Sequence, residues 1–189
     1  MDDMDRRSDH QHLGHDEAAP MGVLGEPARL GGRGREWRLW AATGARLLLA
    51  AVWAWAALAK INDPDAAVRA VRAYQLLPEA LVRPVAWGLP FAELTLALLL
   101  ATGLATRLAA AGSAVLLGLF MVAIAAAWAR GLQIHCGCFG GGGPATGVDA
   151  GDYLGELVRD AALLAVAALL AWRPQSRLAL DRRLGSEEP

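Results

Sequence analysis

The chain has 189 residues, of which 55% are hydrophobic and 20% charged, and its formal net charge is −1. A charge balance this close to neutrality gives no indication of a nucleic-acid partner. The apolar residues are concentrated in long runs and the mean hydropathy is +0.31, so the composition favours membrane spans over the core of a soluble domain.

The two ends of the chain are polar. Residues 1–38 are rich in Gly, Asp, Arg and His and cannot bury enough apolar surface to offset the entropy of ordering, so a disordered tail is predicted. His10, His12 and His15 in this tail have no accompanying ligands or fixed scaffold, which favours a solvated segment over a metal site. Residues 174–189 are predicted to form a short polar C-terminal tail.

Four apolar segments lie between these tails, at about residues 40–59, 85–102, 108–129 and 153–172. Each is close to the roughly 20 residues that a helix needs to cross a bilayer. These segments are expected to be helical, because lipid offers no hydrogen-bond partner to backbone groups that are left unpaired. The fold prediction is an all-α membrane protein, a four-transmembrane-helix bundle over residues 39–173, behind a disordered N-terminal tail.

The connections differ in length and character. Residues 103–107 are predicted to form a tight turn, so the second and third spans make an antiparallel hairpin. Residues 60–84 contain Asn62-Asp63-Pro64, which stops the first helix, and residues 65–77 then have a helical character suited to the membrane interface. Residues 130–152 form the loop that carries both cysteines. The bias of basic residues near span ends places both termini in the cytoplasm and this loop outside.

The two cysteines of the chain, Cys136 and Cys138, are separated only by Gly137. A paired thiol that faces an oxidising compartment can cycle through a disulfide. The disulfide would close a very small, strained ring, and strained disulfides are the more oxidising kind. With His135 the two thiols also offer soft ligands for Cu(I) or Zn, and a third interpretation is a pair of inert buried thiols. The redox pair is the favoured prediction.

Several charged residues lie close to this loop or inside a span. Glu93 is about two turns into the second span, where an ionisable group is costly unless it is paired or hydrated. Lys60 ends the first span on the same side and can extend towards Glu93. Arg130 and Arg159 bracket the cysteine loop; a cation near a thiol lowers its pKa, and anchoring at the headgroups is the alternative.

The order of these motifs resembles that of a known family. The elements that carry the resemblance are Ala57-Leu58-Ala59-Lys60-Ile61-Asn62-Asp63-Pro64, Tyr74-Gln75-Leu76-Leu77-Pro78, Pro90-Phe91-Ala92-Glu93-Leu94, Arg130-Gly131, Cys136-Gly137-Cys138-Phe139-Gly140 and Arg159-Asp160. Over residues 38–172 the chain resembles the methylamine utilisation protein MauE family, within the DoxX-like four-helix membrane proteins. The resemblance implies a multi-pass protein of the bacterial inner (plasma) membrane that is linked to thiol–disulfide handling. It also implies an accessory role in processing, transport or maturation of the disulfide-rich small subunit of methylamine dehydrogenase.

The functional prediction combines the motifs with the resemblance. The protein is expected to exchange or relay a disulfide with an extracytoplasmic protein substrate or a thioredoxin-like partner, through Cys136 and Cys138. Glu93 and Lys60 are predicted to shape a pocket beneath the loop, and Arg130 is predicted to favour the thiolate.

Alternatives to this prediction remain open. No cofactor is evident, so a single cysteine pair needs a quinone or a partner thiol as electron acceptor. A non-catalytic membrane scaffold or assembly factor for a secreted redox protein is the main alternative, in which the cysteines only staple the loop. Copper handling by His135, Cys136 and Cys138 is a third, so the assignment as a thiol–disulfide oxidoreductase is not decided by the sequence.

Overall fold

Residues 31–138 and 141–172 are described by a computed structural model, and the runs of alanine and leucine in them fold as helices. The elements of this part of the chain are α1 (Gly31–Asn62), α2 (Pro64–Ala73), α3 (Glu79–Thr102), α4 (Thr106–Ala129), β1 (Ile134–His135), β2 (Gly143–Pro144) and α5 (Ala150–Trp172). The all-helical prediction is therefore confirmed, apart from the two short strands.

The predicted tails lie largely outside the described residues. This holds for residues 1–30, with their histidines, and for residues 174–189. Residues 31–38, which were predicted to belong to the disordered tail, form the start of α1 instead. These eight residues extend the helix by about two turns ahead of the predicted apolar segment.

Three helices of the described chain are long and apolar enough to cross a membrane. They are residues Glu36–Asn62 of α1, together with α3 and α4, and they indicate a membrane protein. The predicted fourth span corresponds to α5, which has 23 residues but carries Glu156, Arg159 and Asp160 in its first half. A fourth span is not confirmed and stays a prediction.

The helices pack mainly in two pairs, α1 with α3 and α4 with α5. Their shared core is rich in alanine, and small side chains let helix backbones approach closely where lipid supplies no hydrophobic driving force. Trp53 links the two pairs, since its indole Nε1 donates a 2.9 Å hydrogen bond from α1 to Ser113 Oγ on α4. The centroid of the Trp53 ring lies 6.3 Å from the centroid of the Phe120 ring. Leu100, Ala110 and other fully buried side chains fill the space around it.

The two ends of the bundle differ. At one end the predicted tight turn joins α3 to α4, where Gly103 has a φ of 70° and donates its N–H to Leu99 O at 2.9 Å. At the other end lies α2, which begins with Asp63 accepting a hydrogen bond from the Ala66 N–H at 2.8 Å. The helical segment predicted at residues 65–77 is therefore present in part, as α2, which ends at Ala73.

The predicted boundary of the second span differs from the structure. Residues 60–84 were expected to be a mostly polar connection, but α3 begins at Glu79. Pro78 at the N-cap has an extended backbone, and the carboxylate of Glu79 lies in the first turn, where it complements the helix dipole. The helix therefore starts six residues before the expected apolar segment.

Candidate functional site

Both cysteines lie in a loop that is closed by a short hairpin and pressed onto α2. In β1 and β2, Ile134 faces Pro144 and His135 faces Gly143 in antiparallel register. Inside the loop Gly137 has a φ of 69°. A Cβ at this position would lie 2.7 Å from the Cβ of Ala70 on α2, closer than real side chains approach. Position 137 therefore needs a glycine for two reasons: its backbone is left-handed, and α2 leaves no room for a Cβ.

A second glycine completes this contact. A Cβ on Gly142 would lie 2.3 Å from the Cα of Gly137 and 2.8 Å from the Cβ of Ala70. The two arms of the loop therefore cross in close contact at Gly137 and Gly142, against Ala70 of α2. The close crossing keeps the Cys-Gly-Cys backbone flat against α2.

Three side chains from separate parts of the chain hold the backbone of the cysteines. Lys60 Nζ donates to Cys138 O at 2.7 Å, and the Tyr74 hydroxyl donates to Cys136 O at 3.1 Å. From α5, Glu156 Oε1 accepts the Cys136 N–H at 3.4 Å. The loop is consequently fixed to the ends of α1, α2 and α5 at once.

Lys60 and Glu93 form the buried ion pair that the sequence suggested. Lys60 Nζ lies 2.9 Å from Oε1 and 3.1 Å from Oε2 of Glu93, and the two residues are 6% and 0% exposed. A buried ion is tolerated when its remaining hydrogen-bonding capacity is also satisfied. Here the third strong bond of the ammonium goes to Cys138 O, so the pair supports the cysteine loop directly.

The two thiols have unequal surroundings. Cys136 is half-buried, and its Sγ accepts the Cys138 N–H at 3.4 Å and lies 3.9 Å from Arg159 Nη2. A hydrogen bond from the Cys138 thiol is the main cause that lowers the pKa of Cys136, with the Cys138 amide and Arg159 adding to it. Donating that bond, together with burial, raises the pKa of Cys138 well above its usual range.

Arg130 does not reach the cysteines. Its guanidinium donates to Tyr74 O at 2.6 Å, to Gln75 O at 3.4 Å and to Ala126 O at 2.9 Å. It joins the end of α4 to the segment after α2, and so positions Tyr74. The predicted cation beside the thiol is Arg159 instead.

Arg159 is oriented by its neighbour in α5. Asp160 is 2% exposed and its Oδ1 lies 2.8 Å from Arg159 Nη2. The carboxylate fixes the guanidinium in reach of Cys136, and its other oxygen, Oδ2, is buried. Arg159 had been weighed as a headgroup anchor, whereas the structure places it at the thiols.

Two other α5 residues of the site, Tyr153 and Glu156, were missed because their signal is one of spacing; Asp160 stands in the Arg159-Asp160 element of the resemblance. Tyr153, Glu156 and Asp160 follow each other at intervals of three and four, which places them on one face of a helix. The Tyr153 hydroxyl accepts the Ile134 N–H at 3.2 Å and donates to Leu132 O, so it holds the start of β1. Helical spacing before an apolar run could have found this polar face.

The described residues do not support a metal site formed by His135, Cys136 and Cys138. His135 is exposed on β1. In residues 31–138 and 141–172 no group of three or more His, Cys, Asp or Glu side chains is placed to hold a metal ion. His10, His12 and His15 lie outside this part of the chain.

A helical membrane protein with an anchored dithiol loop at one end of its bundle is the class that these features define. Residues 38–173 match the family model described as methylamine utilisation protein MauE, and the chain belongs to this family.

Three curated relatives carry the name methylamine utilization protein MauE. The relative from Paracoccus denitrificans is 40% identical over 106 residues, which is 55% of either chain. The one from Methylophilus methylotrophus is 42% identical over 95 residues, half of each chain, and that from Paracoccus versutus is 44% identical over 98 residues, 51% of this chain and 53% of the relative. The chain thus spans about half the length of the curated relatives it matches. No solved structure matches the chain, and the DoxX-like grouping stays a prediction.

Proposed function

We propose that this membrane protein exchanges a disulfide with an extracytoplasmic protein through Cys136 and Cys138. The unequal pair of thiols carries the proposal. One thiol is half-buried with its pKa lowered, and the other is buried with its pKa raised. Thiol–disulfide exchange needs this division into a thiolate that bonds to the partner and a second thiol that resolves the bond.

When the loop is oxidised, the exchange proceeds in two steps. A thiolate of the partner attacks Cys136 Sγ, the bond between the two loop sulfurs breaks, and Cys138 leaves and takes up a proton. The second partner thiol then loses its proton and attacks the mixed disulfide, which releases Cys136 as a thiolate. The partner loses two electrons and the loop gains them. Its lowered pKa makes Cys136 the better leaving group in the second step.

The setting of the reaction is proposed from the charge bias and the family. The protein lies in a bacterial inner membrane, with α5 as its fourth span, both termini in the cytoplasm and the cysteine loop outside. The family name indicates methylamine utilisation, and the resemblance points to the disulfide-rich small subunit of methylamine dehydrogenase as the substrate to test first.

Trapping of the mixed disulfide tests the proposal. Cys138→Ser in the full-length protein should accumulate a covalent adduct with the oxidised partner that reductant releases. Its Cys136 thiolate attacks the partner disulfide, the reverse of the second step, and no Cys138 is left to displace the partner from Cys136. Cys136→Ser is the matched control and should trap far less. The adduct is followed in intact cells by mass tagging of thiols and mass spectrometry of the released partner. If the double serine variant matures its partner as well as the wild type, the protein is a scaffold and the proposal is wrong.

A further inference from the structure

An apolar cavity of about 310 Å³ lies directly beneath the cysteine loop. Residues of α2, α3 and α4 form its walls, and Cys136, Gly137 and Cys138 close one end. Lys60 and Tyr74, the two side chains that hold the loop carbonyls, also line it. The other lining side chains are aliphatic or aromatic, so the redox pair faces an apolar chamber within the bundle.

The cavity reaches the lipid-facing surface between two spanning helices. Val85 on α3 and Leu119 on α4 both line it, and they are 39% and 60% exposed. Leu76 and Leu77, after α2, line it as well and are 49% and 37% exposed. A molecule dissolved in the bilayer can therefore enter sideways and meet the dithiol from below.

The lining restricts what such a molecule is. No arginine, glycine-rich phosphate loop or helix N-terminus is among the lining residues, so a nucleotide cofactor has nothing to bind its phosphates. A folded protein is too large for a cavity of about 310 Å³, and it approaches the loop from outside. The occupant has to be small, lipophilic and able to take two electrons from a dithiol.

We propose that the cavity binds the ring of an isoprenoid quinone, which re-oxidises the Cys136–Cys138 dithiol; the inference rests on the proposed function. The Cys136 thiolate and the Cys138 thiol form a disulfide and lose two electrons and one proton. The quinone takes up the two electrons, this proton and one more from water, and leaves as the hydroquinone. The isoprenoid tail stays in lipid past Leu119.

The test uses the reduced full-length protein in lipid nanodiscs, without oxygen, with decylubiquinone as the probe. Loss of quinone absorbance and loss of taggable thiols are followed together. Ala123→Phe places a ring in the cavity, whereas Ala125→Phe, two residues along α4, puts the same ring on the exposed surface and is the matched control. Exchange with glutathione disulfide is measured in parallel, since it needs the thiols but not the cavity.

The inference predicts one hydroquinone per disulfide in the wild type. Ala123→Phe should slow this reaction by about tenfold or more, and the control should stay within about twofold. Both variants should exchange with glutathione disulfide at the wild-type rate. Equal quinone rates in the two variants would overturn the cavity as the site. Exchange with glutathione disulfide but no oxidation by the quinone would overturn this inference alone, and failure of both reactions would overturn the proposed function as well.

Discussion

Removing the buried ammonium beneath the loop should both destabilise the bundle and loosen the dithiol. Lys60→Met leaves the carboxylate of Glu93, which is 0% exposed, without the cation that bonds both of its oxygens. Breaking one side of a buried ion pair costs about 3–5 kcal/mol. At about 1.4 kcal/mol per tenfold, the folding equilibrium constant falls by roughly two to three and a half orders of magnitude. Cys138 O loses its 2.7 Å donor at the same time.

Two further variants separate the effect of the unpaired charge from the effect of the lost hydrogen bond to Cys138 O. Lys60→Met with Glu93→Leu removes both charges, so its free energy of unfolding should return to within about 1 kcal/mol of the wild type. Its Cys138 should still react faster with a maleimide than in the wild type, because the loop carbonyl has no donor. Arg72→Met breaks the Arg72–Glu79 pair, whose side chains are 49% and 68% exposed, and should leave the free energy of unfolding close to that of the wild type, because solvent screens an exposed pair.

Denaturant unfolding in detergent micelles, followed by circular dichroism, measures these free energies. Maleimide labelling of the folded protein measures the reactivity of the loop. A loss below about 1 kcal/mol in the single variant would refute the reasoning. So would a double variant as unstable as the single one, since the cost would then not come from the unpaired charge.

Two other changes test the loop and its thiols. Gly137→Ala should cost about 1–3 kcal/mol from the left-handed backbone alone, and more from the clash with α2. Gly141→Ala is the control, because Gly141 has the same φ of 69° but open space around it. The difference in unfolding free energy between the two variants measures the clash. Alkylation of Cys136, followed by peptide mass spectrometry against pH, should begin below the pH at which an ordinary thiol reacts, because a lowered pKa keeps the thiolate populated there. Arg159→Gln should move this profile to higher pH, and Arg130→Gln should leave it in place.

Each of these two predictions has a result that contradicts it. Equal losses in the two glycine variants would mean that the loop does not press on α2. A profile that moves with Arg130 and not with Arg159 would restore the assignment made from the sequence.

The sequence identified the elements whose cause is local. Apolar runs of about 20 residues predicted α3 and α4 and most of α1, because backbone groups in lipid need partners within their own segment. The turn at Gly103 and the stop at Pro64 follow from the backbone limits of single residues. The cysteine pair itself is evident because the chain has no other cysteine.

The tertiary structure decided which distant residues meet. Arg130 is much nearer to Cys136 along the chain than Arg159 is, and only the packing of α4 and α5 shows that Arg159 is the one whose guanidinium faces the sulfur. The unequal thiols and the cavity also arise from contacts between segments far apart in sequence. Composition shows that a loop contains a dithiol, whereas its electrostatics and its access from lipid depend on how five helices surround it in the described part of the chain.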